Sequence, residues 1–390
     1  MKARMLRKAR NFKRSVNNMF VLLSCLPKEF LLPIIFFTFA SAGISLKVLH
    51  VVPNGEEQIY LKLGDKINSV FLPNYKNPCW YEETDNNKTP QIKCLPFFYI
   101  IGAPKCGTTD LHTRLVAHPL ISRKVVKEPH WINRERYISG HELSNYLQLF
   151  NKAVQEDIVN LKKQNGYHPA IFGDCSASTS WDIRLMLKEN RYLGFTEPPY
   201  TNAEIIKNMN PFSKVILILR NPTQRLYSDY IYFGKGENAY NFHHSALAAV
   251  KNITLCLKKY SLRHCTYLDL PKKARLHIGI YHVFIEDFMR VFTRDRIHVL
   301  KLEEYSENPV KYLDEVFLFL DLDRNYSTRN DLNQLYMNRT SIANRRKEIA
   351  PHAGDILQET KLILDDFYRP YNERLVTLLG NKFNYNSNTE

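Results

Sequence analysis

Short, mainly apolar runs alternate with amphipathic stretches along most of this chain. The runs occupy residues 97–101, 170–173, 214–219 and 297–302, and each ends at a glycine or a polar turn. Such short buried runs predict strands of a parallel sheet. Helical periodicity predicts helices over 141–163, 243–260, 275–293, 309–320 and 355–379. Strands alternating with helices predict an α/β fold with a central parallel sheet flanked by helices.

The amino-terminal segment has a different pattern. Residues 30–46 carry no charge, and the apolar run extends to Leu49, which is about the length of a membrane-spanning helix. Seven basic residues lie within 1–14, so the positive-inside rule predicts a cytoplasmic amino terminus. The sequence thus predicts a basic tail (1–29), a transmembrane signal anchor (30–49), a stem (50–95) and one folded domain (96–385). A cleaved signal peptide is the alternative, because residues 40–42 read Ala-Ser-Ala.

Composition supports a folded protein with a basic surface. Hydrophobic residues make up 44% and aromatic residues 12%, which excludes a mainly disordered chain. The net charge of +15 suits either a polyanionic partner or a solvated surface with surplus lysine.

Sequons and cysteines are compatible with passage through the secretory pathway. Cys79 with Cys94, and Cys256 with Cys265, lie close in sequence and are the candidate disulfides, whereas Cys106 and Cys175 fall inside motifs and are expected to be free thiols. The candidate glycosylation sites are Asn87, Asn252, Asn325 and Asn338.

The first motif with clear chemistry is Gly-Ala-Pro-Lys-Cys-Gly-Thr-Thr at 102–109, which follows the first predicted strand and leads into a helix. A strand, a glycine-containing turn and a helix N-terminus form an anion site, because backbone N–H groups and the helix dipole point at the ligand. Lys105 adds a full charge, and Thr108 and Thr109 add hydroxyl donors and a helix cap. Lys105 precedes Gly107, so the loop is not a Walker A motif and a magnesium-dependent P-loop kinase is disfavoured.

A second anion motif, Arg-Asn-Pro-Thr-Gln-Arg-Leu-Tyr-Ser at 220–228, follows the strand 214–219. Pro222 suits the first turn of a helix. Ser228 then lies nearly two turns further on and can face the same side as Arg220. Arginine with serine is a suitable pair for a terminal phosphate.

Together the two motifs resemble those of sulfotransferases that use 3′-phosphoadenosine 5′-phosphosulfate (PAPS), in particular the membrane-bound carbohydrate sulfotransferases of the Golgi. The resemblance covers about residues 96–380. It includes KEPHW (127–131), SLRHC (261–265), GIY (279–281), LEEY (302–305), ANRR (343–346) and DFYRPY (366–371).

The resemblance implies a role for each motif. The 5′-phosphosulfate would be bound by residues 105–109, which are Lys105, Cys106, Gly107, Thr108 and Thr109. Arg220 and Ser228 would bind the 3′-phosphate, and Arg345 would close over the nucleotide. Lys105 would stabilise the leaving phosphate. Glu128 would act as the base, with His130 as second candidate and Asp174 as third. The hydroxyls of residues 174–181 and the Trp181 ring would face a sugar, unless Ser180 merely caps a helix.

The same resemblance implies a single-pass type II Golgi membrane protein that needs no metal and binds no nucleic acid. Its acceptor would be a glycosaminoglycan, at C6 of N-acetylgalactosamine 4-sulfate in chondroitin or dermatan sulfate, and a homodimer is compatible with the sequence. Heparan sulfate is an alternative acceptor, although the cysteine pair that flanks the basic loop in heparan-type enzymes is missing.

Two other classes compete with this interpretation. A type II Golgi glycosyltransferase would use Asp321 and Asp323 as a D-x-D metal motif, but these residues follow a predicted helix and suit a turn. A non-catalytic polyanion-binding membrane protein explains the charge but not the two anion motifs.

Overall fold

The computed structural model describes residues 70–82, 90–163, 165–191, 196–234, 237–267, 273–322 and 351–386. The predicted cytoplasmic tail and anchor (1–49), the sequons at Asn87, Asn325 and Asn338, and Arg345 lie outside these ranges. Within them, no helix combines the length and the apolar character needed to cross a membrane.

A parallel sheet of four strands organises the fold, in the order β4-β3-β5-β6, and a separate antiparallel hairpin precedes it. Every residue of β3, β4 and β5 is buried, and burial on both faces explains the mainly apolar sequences of β3 and β5. The strands are β1 (Cys79–Glu82), β2 (Gln91–Cys94), β3 (Phe98–Gly102), β4 (Gly173–Cys175), β5 (Lys214–Leu219) and β6 (Ile297–Lys301).

The strand order reverses at β3. The chain passes from β3 to β4 on one side and then to β5 on the other, so β3 and β5 are neighbours although β4 lies between them in sequence. In open α/β sheets, ligands bind outside the carboxyl ends of the strands at such a reversal. The segments that begin after Gly102 and Leu219 meet at this point, and they carry the two anion motifs.

Helices cover the sheet and follow the predicted positions closely. Twelve α-helices fall within the described ranges: α1 (Thr108–Leu115), α2 (Leu143–Gln148), α3 (Asn151–Ala153), α4 (Arg184–Arg191), α5 (Asn202–Met209), α6 (Pro222–Phe233), α7 (Ala239–Leu257), α8 (Leu262–Tyr267), α9 (Tyr281–Val291), α10 (Leu302–Glu307), α11 (Pro309–Phe319) and α12 (Gln358–Leu379).

Three predicted elements differ most from the structure. The helix predicted over 141–163 is broken into α2, α3 and a π-helical turn at Val154–Ile158. The break lets Phe150, which is fully buried, pack on Tyr146 and Phe172. The strand predicted at 170–173 begins only at Gly173, because the Phe172 amide donates to Asn77 Oδ1 (3.1 Å) and not to a strand. The helix predicted over 275–293 starts as a 3₁₀ turn, Leu276–Gly279, and becomes α-helical at Tyr281.

Part of the predicted stem packs against the residues that follow it. The described residues from 70 onward belong to one compact unit. Asn77 is fully buried and donates to the Leu95 carbonyl, while Lys214 and Lys76 both contact Asp321. The end of the predicted stem, from residue 70, is therefore held on the domain by the buried Asn77 side chain and by the contact of Lys76 with Asp321.

The four described cysteines that were paired by spacing form disulfides, Cys79 with Cys94 and Cys256 with Cys265. The first bridge joins β1 to β2, and the second joins the end of α7 to α8. Cys106 and Cys175 are free and buried, as predicted.

Candidate active site

The first anion motif folds into a tight loop between β3 and α1. Gly107 is the N-cap residue of α1 with φ 87°, and a Cβ there would lie 2.7 Å from Leu302 Cδ1. A Cβ on Gly102 would lie 2.5 Å from Ser180 Oγ. Gly107 therefore requires glycine, and a larger residue at 102 would displace the Ser180 hydroxyl. No side chain caps α1, so the cap predicted from Thr108 and Thr109 is wrong, and the first-turn N–H groups have no intrahelical partner.

Lys105 lies in this loop with φ 65°. Its ammonium group sits 3.3 Å from the centre of the Tyr232 ring, on α6, in a cation–π contact. Burial lowers the pKa of Lys105 to about 8, although the Asp229 and Glu128 carboxylates oppose this and Arg220 adds to it. Lys105 is thus a partly desolvated cation in electrostatic range of the other motifs.

The second anion motif starts where β5 ends. Asn221 caps α6 by accepting the Gln224 N–H at 3.0 Å, and its own N–H donates to Glu303 Oε1 at 2.8 Å. These two bonds fix the backbone beside Arg220. The side chains of Arg220 and Ser228 form no hydrogen bond or ion pair with any residue that the structure describes.

Tyr281, the first residue of α9, joins the two motifs. Its hydroxyl donates to the Arg220 carbonyl at 2.9 Å and lies 3.7 Å from Cys106 Sγ. Burial raises the pKa of the Cys106 thiol to about 12, so the thiol is neutral. Cys106 and Tyr281 therefore form a neutral, buried support under both anion motifs.

Glu128 and His130 lie in the segment that crosses the end of β4. The Glu128 N–H donates to the Cys175 carbonyl at 2.9 Å. The Glu128 carboxylate contacts Lys127 Nζ and lies 3.6 Å from His130 Nε2. The contact with His130, together with Lys127, lowers the pKa of Glu128 to about 2 against the effect of burial. Glu128 is therefore ionised at neutral pH.

Backbone strain marks the same residues. Within the described ranges, four non-glycine residues have positive φ: Lys105, Glu128, His130 and Asp321. Such conformations cost roughly 1–3 kcal/mol each and concentrate at functional sites. Three of the four are residues to which the sequence assigned chemistry.

Asp174 and Trp181 differ from expectation. Asp174 is buried and accepts hydrogen bonds from Tyr146 at 2.8 Å and from Ser176 at 2.7 Å. Burial raises its pKa. Trp181 is also buried, and the Arg184 and Arg275 guanidinium groups lie 5.8 and 5.4 Å from its ring. Trp181 is thus a buried residue and does not offer an exposed ring face to a sugar.

A buried charge network beneath α6 was not predicted. Arg275 binds Asp229 through Nε at 2.8 Å and Nη2 at 2.5 Å, and Arg225, which is fully buried, lies 3.7 Å from the same carboxylate. The i,i+4 spacing of Arg225 and Asp229 could have indicated the second pair. No local sequence pattern could have indicated that Arg275 pairs with Asp229. The network holds the face of α6 that carries Ser228.

Other predicted features are less central. Asn252 lies on α7 and is half-buried, with Thr254 exposed. Asp321 is paired with Lys214 at 2.5 Å, while Asp323 falls outside the described residues. Across the described ranges, no group of three or more His, Cys, Asp or Glu side chains could hold a metal ion.

Comparison with known proteins decides among the classes of function. The profile of the sulfotransferase domain matches residues 96–359. The chain belongs to the sulfotransferase family. It is therefore an enzyme of class EC 2.8.2, a family that uses PAPS as sulfuryl donor. The glycosyltransferase and the non-catalytic alternatives are wrong.

Relatives of this sulfotransferase act on glycans. It is 32% identical to carbohydrate sulfotransferase 15 of Homo sapiens, over 83% of this chain and 67% of that protein. It is 23% identical to the bifunctional heparan sulfate N-deacetylase/N-sulfotransferase of Drosophila melanogaster, over 87% of this chain and 31% of that protein. A solved sulfotransferase from Alicyclobacillus acidocaldarius is 19% identical with a TM-score of 0.47, over 73% of this chain and 96% of that one.

Proposed function

We propose that this sulfotransferase transfers a sulfuryl group from PAPS to a hydroxyl of a glycosaminoglycan, at C6 of N-acetylgalactosamine 4-sulfate in chondroitin or dermatan sulfate. The observation that carries the proposal is that Arg220 and Glu128 both lie within electrostatic range of Lys105, which follows the carboxyl end of β3. Cations for a doubly phosphorylated donor and a carboxylate for the acceptor proton are the groups this reaction needs.

The donor would lie across the two anion motifs. The loop 105–109 and the first turn of α1 would hold the 5′-phosphosulfate, while Arg220 and Ser228, which have no other described side-chain partner, would hold the 3′-phosphate. Arg345 would add a contact over the nucleotide. Lys105 would stabilise the negative charge that develops on the leaving phosphate oxygen.

The acceptor hydroxyl would attack sulfur in line with that oxygen. A new oxygen–sulfur bond forms, the bond from sulfur to the phosphate oxygen breaks, and 3′-phosphoadenosine 5′-phosphate leaves. Glu128 would take the proton of the hydroxyl. A carboxylate with a pKa of about 2 is a weak base, so an acceptor that separates Lys127 or His130 from Glu128 would increase its basicity.

The glycosaminoglycan acceptor is supported by the relatives and by the charge. Carbohydrate sulfotransferase 15 aligns over 83% of this chain, and the net charge of +15 suits a polyanion. Heparan sulfate N-sulfotransferases are also relatives, so heparan sulfate is the second candidate acceptor.

The proposed setting is the Golgi lumen, with residues 30–49 as a type II anchor, 1–29 cytoplasmic, and the sulfotransferase domain lumenal. Two disulfides in the folded part support an oxidising compartment. Protease protection of the domain in intact vesicles tests this arrangement.

The function is tested by incubating the detergent-solubilised full chain with radiolabelled PAPS and a panel of glycosaminoglycans, desulfated and sulfated. Labelled C6 of N-acetylgalactosamine 4-sulfate is the expected product, and label on heparan sulfate alone would contradict the proposed acceptor.

The donor site is tested by comparing PAPS with adenosine 5′-phosphosulfate, which lacks the 3′-phosphate. Arg220→Ala and Ser228→Ala should weaken PAPS binding by about tenfold or more, because hydrogen bonds to a charged phosphate are lost. Affinity for adenosine 5′-phosphosulfate should barely change. An equal loss of affinity for both nucleotides would show that these residues do not bind the 3′-phosphate.

A further inference from the structure

Arg134 presents a guanidinium group next to the segment of the proposed base. The backbone N–H of Arg134 donates to the His130 carbonyl at 2.9 Å, so Arg134 lies one turn beyond His130. Its side chain is one-third exposed, and Nε donates to Asp182 Oδ2 at 2.8 Å. The Nη1 and Nη2 groups of Arg134 form no hydrogen bond with any described residue.

Asp182 fixes this guanidinium in place. The Asp182 side chain is 2% exposed and also binds Arg184, through Nε to Oδ1 at 2.8 Å and Nη2 to Oδ2 at 2.9 Å. Burial would raise the pKa of Asp182, but Arg184 and Arg134 lower it, and the net direction is down. The carboxylate is therefore ionised, and one negative charge holds two arginines.

Hydrogen bonds of Asn133 and His130 also fix the turn that carries Arg134. Asn133 is fully buried and donates from Nδ2 to Ser178 Oγ at 3.0 Å, and Ser178 Oγ lies 3.0 Å from His130 Nδ1. His130 and Arg134 are thus held by the same segment, 176–182. A ligand group bound by Arg134 would therefore have a fixed position relative to His130 and Glu128.

Neutralising Asp182 does not require Arg134. Arg184 already forms two hydrogen bonds to the carboxylate, and Arg134 adds a second positive charge with only Nε engaged. The remaining edge of a guanidinium, Nη1 with Nη2, is the edge that matches two oxygens of a carboxylate or sulfate. A one-third exposed guanidinium with these two nitrogens free of hydrogen bonds, on the turn that follows His130, is suited to bind an anion.

We infer that Arg134 binds an anionic substituent of the acceptor, a sulfate or a carboxylate, and so positions the acceptor hydroxyl toward Glu128. The inference rests on the proposed function and deepens it, because it assigns the preference for an already anionic glycan to one side chain. Asp182 is a positioning residue that orients Arg134.

The experiment compares Arg134→Gln and Arg134→Lys with the wild-type full chain on three acceptors. Chondroitin 4-sulfate carries both anions, chemically desulfated chondroitin keeps only the carboxylate, and carboxyl-reduced chondroitin 4-sulfate keeps only the sulfate. Arg369→Gln is the matched control, since Arg369 is a half-exposed arginine of α12 that lies 3.6 Å from Asp366. KM and kcat are measured for each acceptor, and KM for PAPS is measured alongside.

Arg134→Gln should raise the KM for chondroitin 4-sulfate by about tenfold or more, with kcat and the KM for PAPS changed by less than about threefold. Arg134→Lys should recover part of the loss, because it keeps the charge but not the two-point contact. If the anion is a sulfate, Arg134→Gln should not raise the KM for desulfated chondroitin. If the anion is a carboxylate, Arg134→Gln should not raise the KM for the carboxyl-reduced polymer.

An equal rise in KM for all three acceptors, or an unchanged KM in Arg134→Gln, would overturn the inference while leaving the proposed function intact. A parallel loss of kcat and of PAPS binding would also overturn it, because that pattern indicates a purely structural role. Absence of transfer by the wild type to every acceptor would instead overturn the proposed function, and this inference with it.

Discussion

Lys105 is a half-buried lysine whose protonation state should be visible in the pH dependence of catalysis. Burial lowers its pKa to about 8, so it is charged below that pH and loses its proton as the pH rises through it. We expect kcat/KM for PAPS to fall above about pH 8. Lys105→Arg should remove this alkaline limb, whatever its effect on the plateau, because arginine stays charged. Lys105→Ala should abolish activity at all pH values.

The control for this experiment is Lys76, whose pKa burial also lowers to about 8 but which contacts Asp321 away from the site. Lys76→Arg should leave the pH profile unchanged. A profile that responds to Lys76→Arg and not to Lys105→Arg would contradict the assignment of Lys105.

Glu128 is the residue where the proposed proton transfer can be tested. Glu128→Gln keeps the size of the side chain but removes the basic oxygen, so kcat should fall by about 10²-fold or more with little change in PAPS affinity. His130→Ala should act differently. The contact with His130 is the largest contribution to the low pKa of Glu128, so its loss raises that pKa and moves the acid limb of kcat/KM to higher pH. Near-normal turnover of Glu128→Gln, with a larger loss in His130→Ala, would reverse the two roles.

At the scale of elements, one disulfide closes the hairpin β1–β2, and the buried side chain of Asn77 links the segment before β1 to Leu95 and Phe172. The Cys79–Cys94 disulfide closes 15 residues. The double variant Cys79→Ala/Cys94→Ala should lower the free energy of unfolding by about 3 kcal/mol, because the unfolded chain regains loop entropy. Urea unfolding measures the change, and activity under native conditions should be retained.

The second disulfide supplies the comparison for this prediction. Cys256–Cys265 closes nine residues, so Cys256→Ala/Cys265→Ala should cost less than the hairpin variant. An unchanged denaturation midpoint in the hairpin variant would show that buried contacts such as those of Asn77 already hold β1 and β2 without the bridge.

At the scale of the whole molecule, the excess of positive charge should govern how a polyanionic acceptor binds. The chain carries 54 Lys and Arg against 39 Asp and Glu. Salt screens such attraction, and more so for a long polyanion than for one nucleotide. Raising the ionic strength about tenfold should raise the KM for chondroitin 4-sulfate by about tenfold or more and the KM for PAPS much less. Equal salt sensitivity of both substrates would contradict an extended acceptor surface.

Much of the fold and of the donor site could be predicted from local patterns. Strands β3 and β5 are mainly apolar runs, because a strand covered on both faces is apolar along most of its length. The anion motifs follow β3 and β5 directly, so predicting those strands also placed Lys105 and Arg220 at one edge of the sheet. Glu128 was assigned from the family motif, since its own neighbours in sequence indicate only a charged turn.

The sequence by itself therefore determined the sheet, the position of the two anion motifs and the pairing of cysteines that lie close together. Only the tertiary structure decided which side chains face one another across the site. Arg134 reaches Asp182 over 48 positions, Arg275 reaches Asp229 over 46, and Asn77 reaches Phe172 over 95. The physical reason is that a periodic pattern specifies which face of an element is buried, whereas a pair of charges depends on the packing of distant elements.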